Sequence, residues 1–290
     1  MNTDQRPHGD LLELLQIDQL DEQCFRNRLN QNNQSNTLFG GQLVAQAAAA
    51  ASRTVDNRWL HSLHGYFLRR GLPERQVIFR VEKTLEGGSF SNRRVIAEQD
   101  GRQLFELMAS FHREQPGFEH QCEWDNDIPA PEQLVDLHTL LRVHSAKLEP
   151  FLVQKFSQIT AVEIRPCDVD DYLFQKAGHA RGRYWIRIIQ PLPDDPLLHQ
   201  LALAYASDYW LVGAAIMKHS NAVVSERILA SSLDHAMWFH RPVRANDWFV
   251  YVTDSPSASG SRGLSRGLLY DREGKLLAST CQEAVIRYLD

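Results

Sequence analysis

No apolar run in the 290 residues reaches the ~18 needed to cross a bilayer as a helix, so no membrane-inserted helix is expected. The first ten residues are polar and lack the apolar stretch of a secretory leader. The last four, Arg287-Tyr288-Leu289-Asp290, do not spell a peroxisomal address. Only four cysteines occur (Cys24, Cys122, Cys167 and Cys281), far apart and without a CxxC, so a reduced, cytoplasmic chain is expected. Lys and Arg number 31 against 36 Asp and Glu, for a net charge of −5, which points away from nucleic acid as a partner. The catalytic signatures of several large classes are missing too. There is no GxSxG elbow, no HExxH, and Gly40-Gly41 is no dinucleotide fingerprint. Twelve scattered histidines include no ligand-like pair on one helix face, so neither metal nor cofactor is expected.

What is present is an ordinary globular balance, 43% hydrophobic and 23% charged. A short amphipathic helix fits 10–17, with Asp10 as its N-cap. After Phe39-Gly40-Gly41-Gln42 comes 43–51, mostly alanine, which predicts a helix buried on every face. Short β-branched and aromatic runs follow at 63–68, 76–82, 94–98 and 104–111, broken by turn residues such as Asp100-Gly101, a strong hairpin signal. Residues 114–131 read as a linker and 132–156 as helical. Strands are expected at 161–165 and 184–189, and one apolar helix over 197–217. The strands 232–240, 248–253, 263–270 and 276–287 complete the chain.

The second half repeats the first. Phe67-Leu68-Arg69 matches Phe239-His240-Arg241 at an offset of 172, and Gly88-Ser89 matches Gly260-Ser261 at the same offset. Gly101 and Leu104 match Gly274 and Leu277 at 173. The expected architecture is therefore α+β, a double hot-dog: two repeats, each a long central helix wrapped by an antiparallel sheet. Its parts are an N-terminal repeat over 1–113, a linker region with helix over 114–156, and a C-terminal repeat over 157–290.

The duplication also singles out chemistry. Asp208 is the one charged side chain in the 17 positions of 201–217, and 43–51 has no acid at all. A carboxylate in such surroundings either ties down nearby backbone or faces a cavity, because burial without a partner is costly. Gln282 stands where the first copy has Ala109. On a strand Ser232 and Asp234 share one face while Leu233 and His235 share the other, which makes Asp234-His235 a poor dyad and His235 a structural or interface residue.

His61-Ser62-Leu63-His64-Gly65-Tyr66-Phe67-Leu68-Arg69, Phe39-Gly40-Gly41-Gln42, Gly117-Phe118-Glu119-His120-Gln121, Tyr205-Ala206-Ser207-Asp208, Asp234-His235-Ala236-Met237-Trp238-Phe239-His240-Arg241-Pro242 and Ser279-Thr280-Cys281-Gln282-Glu283 together resemble the type II acyl-CoA thioesterases, in order and over nearly the whole chain. The resemblance implies hydrolysis of acyl-CoA to free acid and CoA. It implies a catalytic trio of Asp, Thr and Gln, which falls on Asp208, Ser232 and Gln282, with Ser in place of Thr. Gly40 and Gly41, opening the first-half helix, are the candidates for substrate binding through backbone N–H groups. A homo-oligomer is expected, since hot-dog sheets often associate further. Two other readings stand beside this one: a hot-dog enoyl-CoA hydratase built on Asp234-His235, and a non-catalytic acyl-CoA binding protein.

Overall fold

The computed structural model describes residues 10–33, 36–124, 127–148, 150–157, 161–174, 181–217, 219 and 228–288. Residues 1–9, 289–290 and Asp125-Asn126 of the expected linker lie outside them. The first half runs α1 (Leu11–Leu15), β1 (Ile17–Asp21), β2 (Cys24–Asn27), α2 (Gly40–Ser52), β3 (Trp59–Phe67), β4 (Ile78–Glu86), β5 (Phe90–Gln99) and β6 (Arg102–His112). Two short helices follow, α3 (Leu137–His144) and α4 (Pro150–Ser157), in the stretch 132–156 expected to be helical. The second half runs β7 (Val162–Pro166), α5 (Val169–Phe174), β8 (Arg181–Ile188), α6 (Pro196–Ser207), α7 (Leu211–Met217), β9 (Ile228–Ser232), β10 (Asp234–Phe239), β11 (Phe249–Ser259), β12 (Arg262–Tyr270) and β13 (Leu276–Tyr288).

Twelve of these strands form one antiparallel sheet in the order β1-β2-β4-β5-β6-β3-β10-β13-β12-β11-β8-β7, and β9 pairs with β13 beside that path. The order is a palindrome: each strand of the first half has its counterpart at the mirrored place in the second. The centre is the β3–β10 pair, where His64 faces Ala236. Those two residues are themselves 172 apart, the offset of the duplication, so a pseudo-twofold axis passes between them. Repeat-related contacts agree with it. Arg69 donates to Gln103 O at 2.9 Å, and Arg241 to Leu276 O at 2.6 Å. At Asp100-Gly101 both residues have positive φ (49° and 72°), the backbone of a tight hairpin turn that this dipeptide accepts at little cost.

The sheet curls around its helices because small side chains let them sit close. In α2 every residue from Gly41 to Ala51 is buried. It rests on β4, β5 and β6 and packs against α6. Gln42 and Gln46, buried in the same helix, have partners that tie the preceding chain down. Gln42 Oε1 accepts from Gln31 N (2.6 Å), and Gln46 Nε2 donates to Leu14 O (2.6 Å) and Leu29 O (3.1 Å). The segment after β6 lies on the outer surface of the second-half sheet. Gln121 clasps the β12–β13 turn through Gly274 O and Leu276 N, and Trp185 Nε1 donates to Pro129 O at 2.8 Å.

Two expectations fail locally, and both failures shape the site. The helix expected over 197–217 is broken at Asp208-Tyr209-Trp210, with Trp210 at φ 64°. The carbonyls freed by the break are taken by phenols from distant strands: Tyr251 Oη bonds to Ser207 O (3.0 Å) and Tyr184 Oη to Tyr209 O (3.4 Å). The strand expected over 232–240 is broken at Leu233. Ser232 pairs with Ala284, whereas Ala236 pairs with Cys281. Four steps along one strand therefore span three along the other, which is a β-bulge.

Candidate active site

The break in the helix and the bulge in the strand meet. Asp208 caps the C-terminus of α6 and precedes α7, so it is not a mid-helix residue as expected. Its side chain is only 7% exposed. Gln282, in the middle of β13, is 1% exposed and points inward on the same face as Thr280, whose Oγ1 meets Tyr251 Oη at 2.7 Å. The Gln282 amide nitrogen donates to Asp208 Oδ1 at 2.9 Å and to Ser232 Oγ at 2.5 Å. Both amide hydrogens are thereby used. Ser232 accepts from Gln282, which leaves its own hydroxyl hydrogen free to donate elsewhere. The structure thus brings Asp208, Ser232 and Gln282 together, although they come from a helix break, a strand end and a strand interior.

Gly40 and Gly41 differ in their surroundings. A Cβ on Gly40 would stand 2.7 Å from Asp208 Oδ2 and 3.1 Å from Phe67 Cζ. Gly40 therefore packs directly against the carboxylate, at the first turn of α2. A Cβ on Gly41 would stand 2.4 Å from Tyr205 O and 2.6 Å from the Phe39 ring. Gly41 is buried in the contact between α2 and α6, where it permits helix packing. Of the two, Gly40 is the one beside Asp208.

The bulge overturns the expected alternation. Its extra residue changes the parity of the strand, so Ser232 and His235 both turn towards Asp208. His235 is fully buried, its Nδ1 lies 3.9 Å from Asp208 Oδ1, and its Nε2 lies 2.9 Å from Ser207 Oγ. Burial pushes its pKa below the ordinary histidine value, and the charges of Asp208 and Asp234 and a hydrogen bond with Gln282 oppose that shift. Asp234 has a different job. Its Oδ1 accepts from Glu283 N at 2.7 Å, which staples the bulge to β13. His235 therefore faces Asp208, and not the opposite side that regular alternation gave it. The signal lay in the duplication: its counterpart 172 residues earlier is Leu63.

These features belong to a known class. A hot-dog protein from Alicyclobacillus acidocaldarius shares the fold with a TM-score of 0.77 at 16% identity, over 96% of this chain and 98% of its own. The protein is a double hot-dog. The sequence says more. A family model described as acyl-CoA thioesterase matches residues 156–285, and one described as the acyl-CoA thioesterase N-terminal domain matches 28–112. Human acyl-coenzyme A thioesterase 8 is 36% identical over 97% of this chain and 91% of its own length. The crystal structure of the acyl-CoA thioesterase II TesB2 from Mycobacterium marinum is 36% identical with a TM-score of 0.79, covering 96% of this chain and 98% of that one. The chain belongs to the acyl-CoA thioesterase family.

Proposed function

We propose that this thioester hydrolase cleaves acyl-CoA to free acid and CoA by direct attack of one water, with Asp208, Ser232 and Gln282 as the groups that hold and activate it. The observation that carries the reading is the shared donor: Gln282 bonds Asp208 and Ser232 at once. A carboxylate and a hydroxyl fixed by one amide define a place for a water. The water donates one hydrogen to the carboxylate and accepts the free hydroxyl hydrogen of Ser232. One lone pair is then left for the thioester carbon. In this reading Gln282 acts on the water through its two neighbours.

Substrate enters over Gly40, where the missing side chain lets the carbonyl come near the first turn of α2. Backbone N–H groups there are the candidates for stabilising the developing oxyanion. The hydratase alternative needs Asp234 and His235 to act together on substrate. Against it, the Asp234 carboxylate serves the backbone of β13 and leaves the imidazole to Asp208.

The test is thiol release from a panel of acyl-CoAs, short to long, by the wild type and Asp208→Asn. The wild type should release CoA, and the isosteric variant should lose about 10²–10⁴-fold in kcat. No thiol from any substrate, or an Asp208→Asn enzyme of near wild-type rate, would sink the proposal.

A further inference from the structure

Gln282 spends both amide hydrogens on Asp208 and Ser232, and its oxygen, Oε1, is shielded from solvent. The two ends of an amide are nearly alike in shape, so chemistry decides which end faces the carboxylate. Asp208 and Ser232 supply half of that decision by accepting hydrogens. The other half is a donor for Oε1.

His235 supplies it. The ring is fully buried, and its Nδ1 is shielded from solvent beside the same Asp208 oxygen to which Gln282 donates. A hydrogen bond between imidazole and amide favours the charged ring. A bond of that sign is one that the imidazole donates. Gln282 has no hydrogen left to give and accepts through Oε1. The ring's other nitrogen, Nε2, is engaged with Ser207 Oγ at 2.9 Å. Nδ1–H to Oε1 is the pairing that remains. It joins two buried atoms that have no other partner among the described residues.

Ser207 completes the line. Its contact with Nε2 is compatible with either tautomer, and the bond to Gln282 selects the one with hydrogen on Nδ1. Nε2 of a neutral ring is then bare. The Ser207 hydroxyl has two acceptors in reach, Ala204 O at 2.8 Å and Nε2 at 2.9 Å, and in this state it serves Nε2. Donation runs one way, from Ser207 to His235 to Gln282, and from there to Asp208 and Ser232. Links aligned in this way strengthen one another.

We propose that His235 is a positioning residue of the hydrolytic site: Nδ1–H holds Gln282 Oε1 and so fixes the orientation in which the amide serves Asp208 and Ser232. The proposal rests on the reading of those three side chains as the groups that hold the water. The duplication agrees with it. The first copy has Ala109 where Gln282 stands and Leu63 where His235 stands, so amide and imidazole are present together and absent together. The neighbours leave the ring to this task. Asp234 Oδ1 is taken by Glu283 N, and the residue opposite His235 on β3 is Gly65.

Two substitutions separate the two ends of the ring. In His235→Asn the amide nitrogen falls near the position of Nδ1 and can still donate to Oε1. In His235→Gln the amide reaches the Nε2 position, keeps the contact with Ser207 and leaves Oε1 unmet. We expect His235→Asn to keep kcat within about tenfold of wild type and His235→Gln to lose about 10²-fold or more, with KM within about threefold in both. Equal kcat for the two variants overturns the proposal. Gln282→Ala measured beside them separates the readings. If it turns over like the wild type, the water-holding trio fails and the proposal with it. If it is inactive while the two histidine variants are equal, only the histidine's role has failed. Nitrogen NMR of the histidine-labelled wild type decides the matter even if neither variant folds. Protonated Nδ1 and bare Nε2 at neutral pH are expected, and an Nε2–H tautomer overturns the proposal.

Discussion

Gly40 and Asp208 are so close that a Cβ on the glycine would stand 2.7 Å from Oδ2 of the carboxylate. That is below any normal contact, and the Phe67 ring at 3.1 Å blocks the other way out. Gly40→Ala should therefore push the carboxylate out of line. We expect about 10²-fold loss of kcat, since a misplacement of about 1 Å is worth that much. Thermal melting should change little by comparison. A Gly40→Ala enzyme with unchanged turnover would show that the close approach has no catalytic meaning. Gly41→Ala is not a comparable test, because its Cβ would strike the backbone carbonyl of Tyr205 and disturb the α2–α6 contact.

Ser232 should tolerate threonine and not alanine. Threonine keeps the hydroxyl that accepts from Gln282 and restricts its rotation, so kcat should stay within about threefold of wild type or rise. Alanine removes the acceptor and releases both the amide and the water, so kcat should drop by about tenfold or more. Steady-state kinetics of the two variants on one acyl-CoA would settle it, and equal rates for alanine and wild type would remove Ser232 from the machinery.

Tyr251→Phe probes the helix break. The phenol is buried and bonds to Ser207 O and Thr280 Oγ1, and burial holds its pKa well above the usual range. Without it the Ser207 carbonyl has lost its cap. The variant should be less stable by about 1–3 kcal/mol in denaturant titrations. It should also lose activity, because Asp208 follows the released carbonyl directly. A variant with wild-type stability and full activity would mean that the break holds itself.

Acid should weaken the fold in two separate ranges. The folded pKa of His235 lies below its unfolded value because of burial, so protonation favours the unfolded chain. That contribution is complete above the unfolded pKa of about 6.5 and is lost as pH falls below it. Glu86, hydrogen-bonded by Ser91 and Arg93, has its pKa held down at about 2, against an ordinary 4.5. Its contribution is present above 4.5 and is lost as pH falls towards about 2. Thermal melts across pH should show the first loss in the wild type and a shallower one in His235→Gln. Parallel curves for the two proteins would refute the histidine's part.

The architecture was legible where the sequence compares with itself. The offset of 172 becomes the His64–Ala236 axis and the palindromic sheet. Asp208 and Gln282 stood out because the first copy has no equivalents. What stayed hidden was anything decided by a distant strand. Residues 197–217 have helical composition throughout, and the break at Trp210 depends on phenols from β8 and β11. The bulge at Leu233 cannot be seen without its partner strand. Leu233 N donates to Glu283 O while Leu233 O accepts from Phe67 N, so the residue hands the chain from β13 towards β3. Reading 232–240 as a regular strand placed His235 on the wrong side. Similarly, Gly40 and Gly41 looked alike in sequence, and only the packing of α6 separates them.

The junction of β3 and β10 has a consequence for inheritance. If the two halves were separate, identical subunits, every substitution would appear twice, once on each side of the axis. An acid gained for one pocket would be forced on the other. Joined in a single chain, the copies are free to drift apart. One lends a glycine edge and an alanine helix, the other supplies the acid, the hydroxyl and the amide, and the asymmetry can be passed on.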